Sequence, residues 1–254
     1  MFIRHLDGAR SRYRRQVASY FSRRTVPVDL ADPLISFTFD DFPASALRSG
    51  GPILERHGAT ATYYVSLGLL GMPTPTGRIV EGAALPGLLA SGHELGCHTY
   101  SHCHSWNTAP ARFRADVLRN RDVLADLLPE GRFETFSYPI APPRPRTKIL
   151  TSNLFRCSRL GGQKINAGYC DLNQLSAFFL EKANGDIGEV ERIINEACAA
   201  KGWLIVATHD IDEQPTPFGC TPSFFSEVVR RAVGSGARIL PVGRALDVVL
   251  RGRA

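Results

Sequence analysis

The stretch SFTFDDF, residues 36–42, decides the fold of this chain because it joins a buried strand to a polar site. Its first four residues and the two residues before them form the apolar run LISFTF, residues 34–39. Asp40 and Asp41 follow this run directly. Successive side chains of a strand point to opposite faces, so the two carboxylates are predicted to lie in different environments. Two adjacent acids at a strand end can therefore do different jobs.

Apolar runs alternate with helical patterns along the rest of the chain. Strands are predicted at 34–39, 60–66, 93–97, 133–138, 154–159, 176–180, 203–208 and 237–242, and the clearest helices at 43–57, 81–91, 110–128, 188–201, 222–234 and 243–251. Such alternation indicates a parallel sheet with crossover helices, either closed as a barrel or doubly wound. In both architectures the functional site lies at the carboxyl ends of the strands.

Length and composition favour a single α/β domain without a membrane span. The chain has 254 residues, of which 44% are hydrophobic, and it can therefore bury a sizeable core. No apolar run approaches the roughly 18 to 20 residues of a membrane span, and no secretory leader is seen. We therefore expect a cytoplasmic protein.

The six cysteines lack CxxC spacing and are expected to be reduced and mostly buried.

The net charge of +6 arises from the N-terminal segment. Residues 1–24 contain seven arginines and one aspartate, and apolar residues recur there at helical spacing. Residues 1–30 are therefore predicted to form a basic amphipathic extension, and residues 31–254 the main domain. The helix either packs its apolar stripe on the domain or makes a peripheral contact with an anionic membrane. An adaptor for membranes or nucleic acid is a weaker alternative.

The stretch CHTYSHCH, residues 97–104, is the second informative cluster. His98 and His102 lie four residues apart, which brings both imidazoles to one side if the segment turns helically. Together with one carboxylate they form a set of two histidines and an acid with open positions, as a catalytic metal requires. His209 follows the predicted strand WLIVAT. Three strand ends are thus expected to meet at one mouth.

Three motifs in this order resemble the signatures of the NodB-type polysaccharide deacetylases, carbohydrate esterase family four. They are TFDD at 38–41, HTYSH at 98–102 and LIVATHD at 204–210, and the resemblance covers roughly residues 34–245. It implies a single distorted (β/α) barrel of seven or eight parallel strands, preceded by the basic helical extension. It also implies a metal-dependent hydrolase that removes N-acetyl groups from an amino sugar or polysaccharide.

The resemblance assigns a role to each polar residue of the motifs. Asp40 matches the catalytic base and His209 the general acid, while the metal ligands match Asp41, His98 and His102. This set is expected to hold one divalent ion, with zinc preferred and cobalt, manganese and nickel as alternatives. An N-acetylated carbohydrate is the expected partner, nucleic acid is not expected, and the oligomeric state is left open.

One departure from the family concerns the arginine that orients its catalytic base. The matching stretch reads FSYPIAPP here, with Ser137 at the arginine position and Pro139 in its usual place. Another group must then orient Asp40, or the pKa of Asp40 differs from that of the family's catalytic base. The candidates are Arg144, Arg146 and Arg159.

The other expectations concern the oxyanion and the support of His209. A backbone N–H in the stretch Tyr138, Pro139 and Ile140, at the end of a predicted strand, is expected to stabilise the oxyanion. The Asp–Trp motif that supports the catalytic histidine in the family is not recognisable. Asp171 is preferred over Asp186 as its replacement.

These departures do not affect the predicted metal ligands, but they leave the identity of the substrate undecided. An amidase acting on a non-sugar amide or cyclic ureide is the nearest alternative function. A pseudoenzyme that binds metal and glycan without turnover is the alternative from another class. The presence of both Asp40 and His209 argues against the pseudoenzyme, because binding alone needs neither.

Overall fold

The computed structural model describes the backbone of residues 2–251 and the side chains of residues 9–251. Its α-helices are α1 Phe2–Ser19, α2 Gly51–Glu55, α3 Leu85–Ala90, α4 Pro110–Leu127, α5 Pro145–Leu154, α6 Ile187–Ala199, α7 Pro222–Gly234 and α8 Val242–Arg251. Its strands are β1 Thr25–Val28, β2 Leu34–Phe39, β3 Ala61–Val65, β4 Pro73–Thr74, β5 Gly77–Arg78, β6 Glu94–Cys97, β7 Thr135–Ser137, β8 Cys157–Gly161, β9 Gly168–Asp171, β10 Leu175–Phe179, β11 Trp203–Thr208 and β12 Arg238–Ile239.

Seven strands form a closed parallel barrel in the order β2, β3, β6, β7, β8, β10 and β11, with β11 returning to β2. The pairing that closes it runs along the whole of both strands, from Leu34 opposite Trp203 to Phe39 opposite Thr208. Every residue of these two strands is buried, as expected for barrel strands covered on both faces. The predicted single distorted (β/α) barrel of parallel strands is confirmed, and the strand number is seven.

The end of the barrel at which its strands begin is covered by a helix. Helix α8 lies there, and its backbone N–H groups at Gly243 and Arg244 donate to the carboxylate of Glu94 at the start of β6. The N–H of Val242 donates to Thr62 near the start of β3. Negative charge at a helix N-terminus is favourable, so Glu94 both caps and anchors α8. The opposite end, where the strands finish, is left for the site.

The segment predicted as an extension contains α1 and β1, and both contact the barrel domain. Strand β1 pairs antiparallel with β9, from Thr25 opposite Asp171 to Val28 opposite Gly168. The end of α1 is held by the buried Lys148 of α5, whose Nζ lies 2.9 Å from the carbonyl oxygen of Ala18. The boundary between residues 30 and 31 stays a prediction.

Some predicted element bounds differ from the structure. The predicted strand 237–242 shrinks to β12, which pairs with the start of β2 outside the closed barrel. Helix α5 was not predicted, since the run PPRPR at 142–146 is typical of a loop. Its Pro145 is the first residue of the helix, where a missing N–H costs nothing and the fixed φ is favourable. The predicted helix 43–57 contains a π-helical turn, Ala46–Gly50, before α2.

Two further observations concern the cysteines, most of which are buried as expected, and the lengths of the helices. Four of the six cysteines are buried, namely Cys97, Cys157, Cys170 and Cys220. Of the helices in the described part of the chain, none combines the length and apolar character needed to cross a bilayer.

Candidate active site

Three predicted ligands meet at the carboxyl ends of β2 and β6. One nitrogen or oxygen atom from each of Asp41, His98 and His102 lies within 4.8 Å of the others, and these residues form the metal-ligand group. Oδ1 of Asp41 is 3.1 Å from Nε2 of His102 and 3.5 Å from Nε2 of His98. The two histidines are joined by an irregular loop rather than a helical turn, so their proximity comes from the loop's path.

The metal-ligand group fits a divalent cation. Oδ1 of Asp41 is buried and accepts no hydrogen bond from any described group, although Oδ2 accepts one from Thr76 Oγ1 at 3.0 Å. The Nδ1 of His98 lies 2.8 Å from the carbonyl oxygen of Ser137, so Nδ1 carries the hydrogen and Nε2 keeps its lone pair. Burial lowers the pKa of His98 to about 4, which keeps the ring neutral, as a ligand must be.

Backbone strain is concentrated around the same mouth. Asp41, Thr99, His102 and Ile140 have φ values of 61°, 63°, 53° and 67°, in the left-handed region that residues other than glycine rarely adopt. Each follows a barrel strand. Strain of about 1–3 kcal/mol per residue persists only where surrounding contacts enforce it, and such residues cluster at functional sites.

Asp40, at the end of β2, is paired with a buried arginine of β8, on the opposite side of the barrel. The guanidinium of Arg159 donates to Oδ1 of Asp40, and Ser137 Oγ lies 3.5 Å from Oδ2. Burial by itself raises the pKa of Asp40, but the charge and the hydrogen bond of Arg159 lower it below its ordinary value. Asp40 is therefore held as a carboxylate.

Arg159 stands beside the position where the family has its arginine. Ser137 on β7 and Arg159 on β8 are direct partners in the parallel ladder, so the guanidinium comes from the adjacent strand at the same height. Of the other two candidates, Arg144 donates to the carbonyl of Trp106 instead, and Arg146 is exposed on α5. A buried arginine on the strand next to Ser137 therefore contacts Asp40.

His209 lies between two aromatic rings and is oriented by a backbone carbonyl. Its ring centroid is 6.0 Å from that of Phe179 and 5.6 Å from that of Phe218. Nδ1 lies 3.1 Å from the carbonyl oxygen of Phe218, so Nδ1–H donates and Nε2 is left for other partners. A backbone acceptor has no signature in the sequence, which is why Phe218 was not predicted.

The structure does not bring Asp171 to His209. The carboxylate of Asp171 accepts from the buried Lys148 at 2.6 Å and from the N–H of Arg24 at 2.9 Å. Asp186, the other sequence candidate, caps helix α6 through the N–H of Gly188. Both aspartates therefore have structural contacts, and the carbonyl of Phe218 takes the place expected for an acid.

Only one backbone donor remains in the stretch predicted to bind the oxyanion. The N–H of Tyr138 donates to the carbonyl of Arg159 at 3.1 Å, and Pro139 has no N–H. The N–H of Ile140 has no acceptor among the described groups. The side chain of Ile140 is 66% exposed, and its left-handed φ turns the chain at the mouth of the site.

A cavity of about 820 Å³ unites these groups. Its wall includes Asp40, the metal-ligand group, Ile140 and His209. Residues that the sequence did not indicate also line it: Thr76, Gln163, Phe179, Glu181, Lys182 and Phe218. Helix α1 contributes Ser11 and Arg15 to the same wall. The predicted peripheral contact of residues 1–24 with an anionic membrane stays a prediction.

The closed parallel barrel, with an Asp-His-His group and a paired carboxylate at its mouth, defines the class as a barrel hydrolase with a site of the divalent-metal type. Residues 28–153 match the family of proteins described as polysaccharide deacetylase. The chain carries a polysaccharide deacetylase domain of the NodB type, and the predicted family is confirmed.

Solved structures of this family share the fold. The family 4 acetyl xylan esterase from Clostridium thermocellum, in complex with a cobalt ion, superposes with a TM-score of 0.60 at 20% identity over 86% of this chain and 92% of its own. The chitin deacetylase from Colletotrichum lindemuthianum gives 0.60 at 18% identity, over 85% and 89%. The peptidoglycan deacetylase PdaC from Bacillus subtilis gives 0.58 at 19% identity, over 89% and 95%. None of the curated protein sequences matches significantly.

Proposed function

We propose that this protein is a metal-dependent N-deacetylase, which hydrolyses an acetamide on an amino sugar or a polysaccharide. One observation carries the proposal: a single cavity holds the metal-ligand group, the Asp40–Arg159 pair and His209. Amide hydrolysis needs an activated water, a base for its proton and an acid for the departing amine. Each requirement has a residue in this cavity.

We propose zinc as the ion of the metal-ligand group, because zinc accepts two imidazoles and a carboxylate and keeps an open position in catalytic sites. Cobalt, manganese and nickel suit the same donors. When bound there, the ion supplies a Lewis acid for the acetamide and lowers the pKa of water.

Asp40 is proposed as the base. Arg159 occupies its Oδ1, so Oδ2, whose described contact is the 3.5 Å approach of Ser137 Oγ, is the atom that takes the proton from the attacking water. The lowered pKa of Asp40 keeps this atom deprotonated at neutral pH. The N–H of Ile140 is the proposed donor to the oxygen that becomes negative in the transition state.

His209 is proposed as the acid. Its Nδ1–H is engaged by the carbonyl of Phe218, so the transferred proton is carried at Nε2. Protonation of the amine nitrogen as the C–N bond breaks makes the amine, rather than water, the leaving group. The products are acetate and a free amino group.

The test is acetate release from a panel of N-acetylated sugars, free, polymeric and nucleotide-linked, by zinc-loaded protein. Chelated protein and Asp40→Asn are expected to release acetate about 10²–10⁴-fold more slowly. Asp32→Asn, at an exposed aspartate, is the matched control and should retain the wild-type rate. Release from non-sugar amides or ureides alone would favour the amidase instead. Stoichiometric zinc without release from any substrate would favour the binding-only relative.

A further inference from the structure

Helix α1 forms part of the cavity wall rather than a free extension. Ser11 and Arg15, one helical turn apart, both line the cavity. The second half of the helix is fixed there by contacts with the barrel domain. Gln174 donates to the carbonyl of Arg15 at 3.1 Å, and the guanidinium of Arg14 lies 5.2 Å from the centre of the Trp106 ring. Residues before the matched family segment 28–153 therefore shape the site.

The side chain of Arg15 has no partner among the described groups. Its Nε is buried and donates no hydrogen bond, and the described ion pairs of the chain do not include Arg15. Burial lowers the pKa of this guanidinium. Arg14 stacks on Trp106. Arg24 also has a buried Nε without a partner, but its guanidinium donates through a terminal nitrogen to the carbonyls of Phe155 and Arg156. Arg15 is half-buried, and its Nε reaches neither water nor a protein acceptor. An unpaired donor of this kind is costly, so Arg15 is expected to have an acceptor in the working complex.

The charge of the cavity favours an anionic ligand at this position. Asp40 is neutralised by Arg159, and the charge of Asp41 is opposed by a bound divalent cation. Of the remaining charged wall residues, Arg15 and Lys182 are cationic and Glu181 is anionic. The loaded cavity is therefore positive on balance, and a charged group on the substrate gains from it.

We propose that Arg15 forms a subsite for an anionic oxygen group, a phosphate or a carboxylate, on the substrate that carries the acetamide. The inference rests on the proposed deacetylase function and narrows its substrate class to acidic N-acetylated sugars. A guanidinium fits either anion because two of its N–H groups can donate in parallel to two oxygens. An arginine that reaches in from α1 would hold the charged end of the sugar while the acetamide lies at the metal-ligand group.

The experiment compares three small sugars with the same acetamide: N-acetylglucosamine 1-phosphate, N-acetylmuramic acid and neutral methyl N-acetylglucosaminide. The zinc-loaded wild type should prefer at least one anionic sugar over the neutral one by about tenfold or more in kcat/KM. Arg15→Met should reduce this preference to near one, mainly by raising KM for the anionic sugar, and Arg15→Lys should restore part of it. Arg12→Met, at an exposed arginine of the same helix outside the cavity, is the matched control and should keep the preference.

Two results would overturn the subsite. One is equal wild-type kcat/KM for the three sugars, and the other is a preference that survives in Arg15→Met. The two anionic sugars distinguish phosphate from carboxylate as the recognised group.

A binding arm separates this inference from the proposed function. Calorimetric titration of zinc-loaded Asp40→Asn with each sugar does not depend on turnover. If no sugar is hydrolysed by the wild type, but the anionic sugar binds to Asp40→Asn and ten times less tightly to Asp40→Asn/Arg15→Met, the subsite stands and the deacetylase proposal fails. If the wild type hydrolyses the anionic and neutral sugars equally well, the deacetylase proposal stands and the subsite proposal fails.

Discussion

The two halves of the cavity are built in different ways. The metal half, Asp41 with His98 and His102, is formed by side chains from two short stretches that directly follow β2 and β6. The acid–base half contains the proposed base Asp40 and the proposed acid His209. Asp40 is paired with a guanidinium on β8, and His209 contacts a backbone carbonyl, that of Phe218, in the loop after β11. A metal needs fixed donor atoms, whereas a base or an acid needs only a suitable field and orientation, which several groups can supply. The metal half is therefore the more easily recognised in a sequence.

The largest effect is expected from breaking the metal half. His102→Ala removes one of three ligands, so stoichiometric zinc binding should be lost and acetate release should fall on the order of 10³-fold. Metal content by mass spectrometry and acetate release are the measurements. His104→Ala is the control, because His104 accepts from the N–H of Trp106 and lies outside the metal-ligand group. Full zinc occupancy in His102→Ala would contradict the assignment.

The next largest effect is expected from Arg159, the arginine paired with Asp40 in the acid–base half. Arg159→Met leaves the buried Asp40 without its cation, so kcat should fall roughly 10²-fold while zinc remains bound. Circular dichroism would verify folding, and Arg144→Met serves as the matched control. Because Ser137 and Arg159 are ladder partners, Ser137→Arg/Arg159→Ser should recover part of the loss. Wild-type kcat in Arg159→Met would show that Asp40 needs no such support.

A smaller effect is expected from the hydroxyl that supports the metal half. Thr76 reaches Asp41 Oδ2 from the turn between β4 and β5. Thr76→Val keeps the shape but removes the donor, so zinc affinity should fall about tenfold, in the range found for groups that orient metal ligands. Competition with a chelator measures the affinity. Thr76→Ser should behave like the wild type, and an unchanged affinity in Thr76→Val would show that the contact has no influence on the ion.

The smallest effect on turnover is expected at Asp171, the aspartate that the sequence favours as the support of His209. Asp171→Asn leaves the buried Lys148 without its counter-charge, so the free energy of unfolding should fall by roughly 3 kcal/mol. The kcat of the folded protein should stay near the wild-type value, since the Nδ1 of His209 is engaged by Phe218. Urea unfolding and kcat are measured together. A loss of kcat without a loss of stability would support the predicted role of Asp171 as the support of His209.

The sequence by itself was sufficient for the α/β class and, through the family resemblance, for the barrel and for the ligand residues of its site. Runs such as LISFTF and WLIVAT are long, apolar and buried on both faces, so their pattern predicts strands strongly. That pattern alone left a closed barrel and a doubly wound sheet open. Asp40, Asp41, His98 and His209 were found because each directly follows such a strand. In these cases the signal is local: a few adjacent residues define both the element and the chemistry.

The tertiary structure alone decided what supports those residues and what covers them. Arg159 meets Asp40 although 119 residues separate them in the sequence. Phe218 lies only nine residues after His209, but an irregular loop, and not a periodic element, brings its carbonyl to the imidazole. The same holds for Arg15, whose basic segment resembles a surface helix until its place in the cavity wall is known. Such contacts have no periodic signature, because the closing of the barrel and the paths of irregular loops, rather than a repeating pattern of residues, bring the partners together.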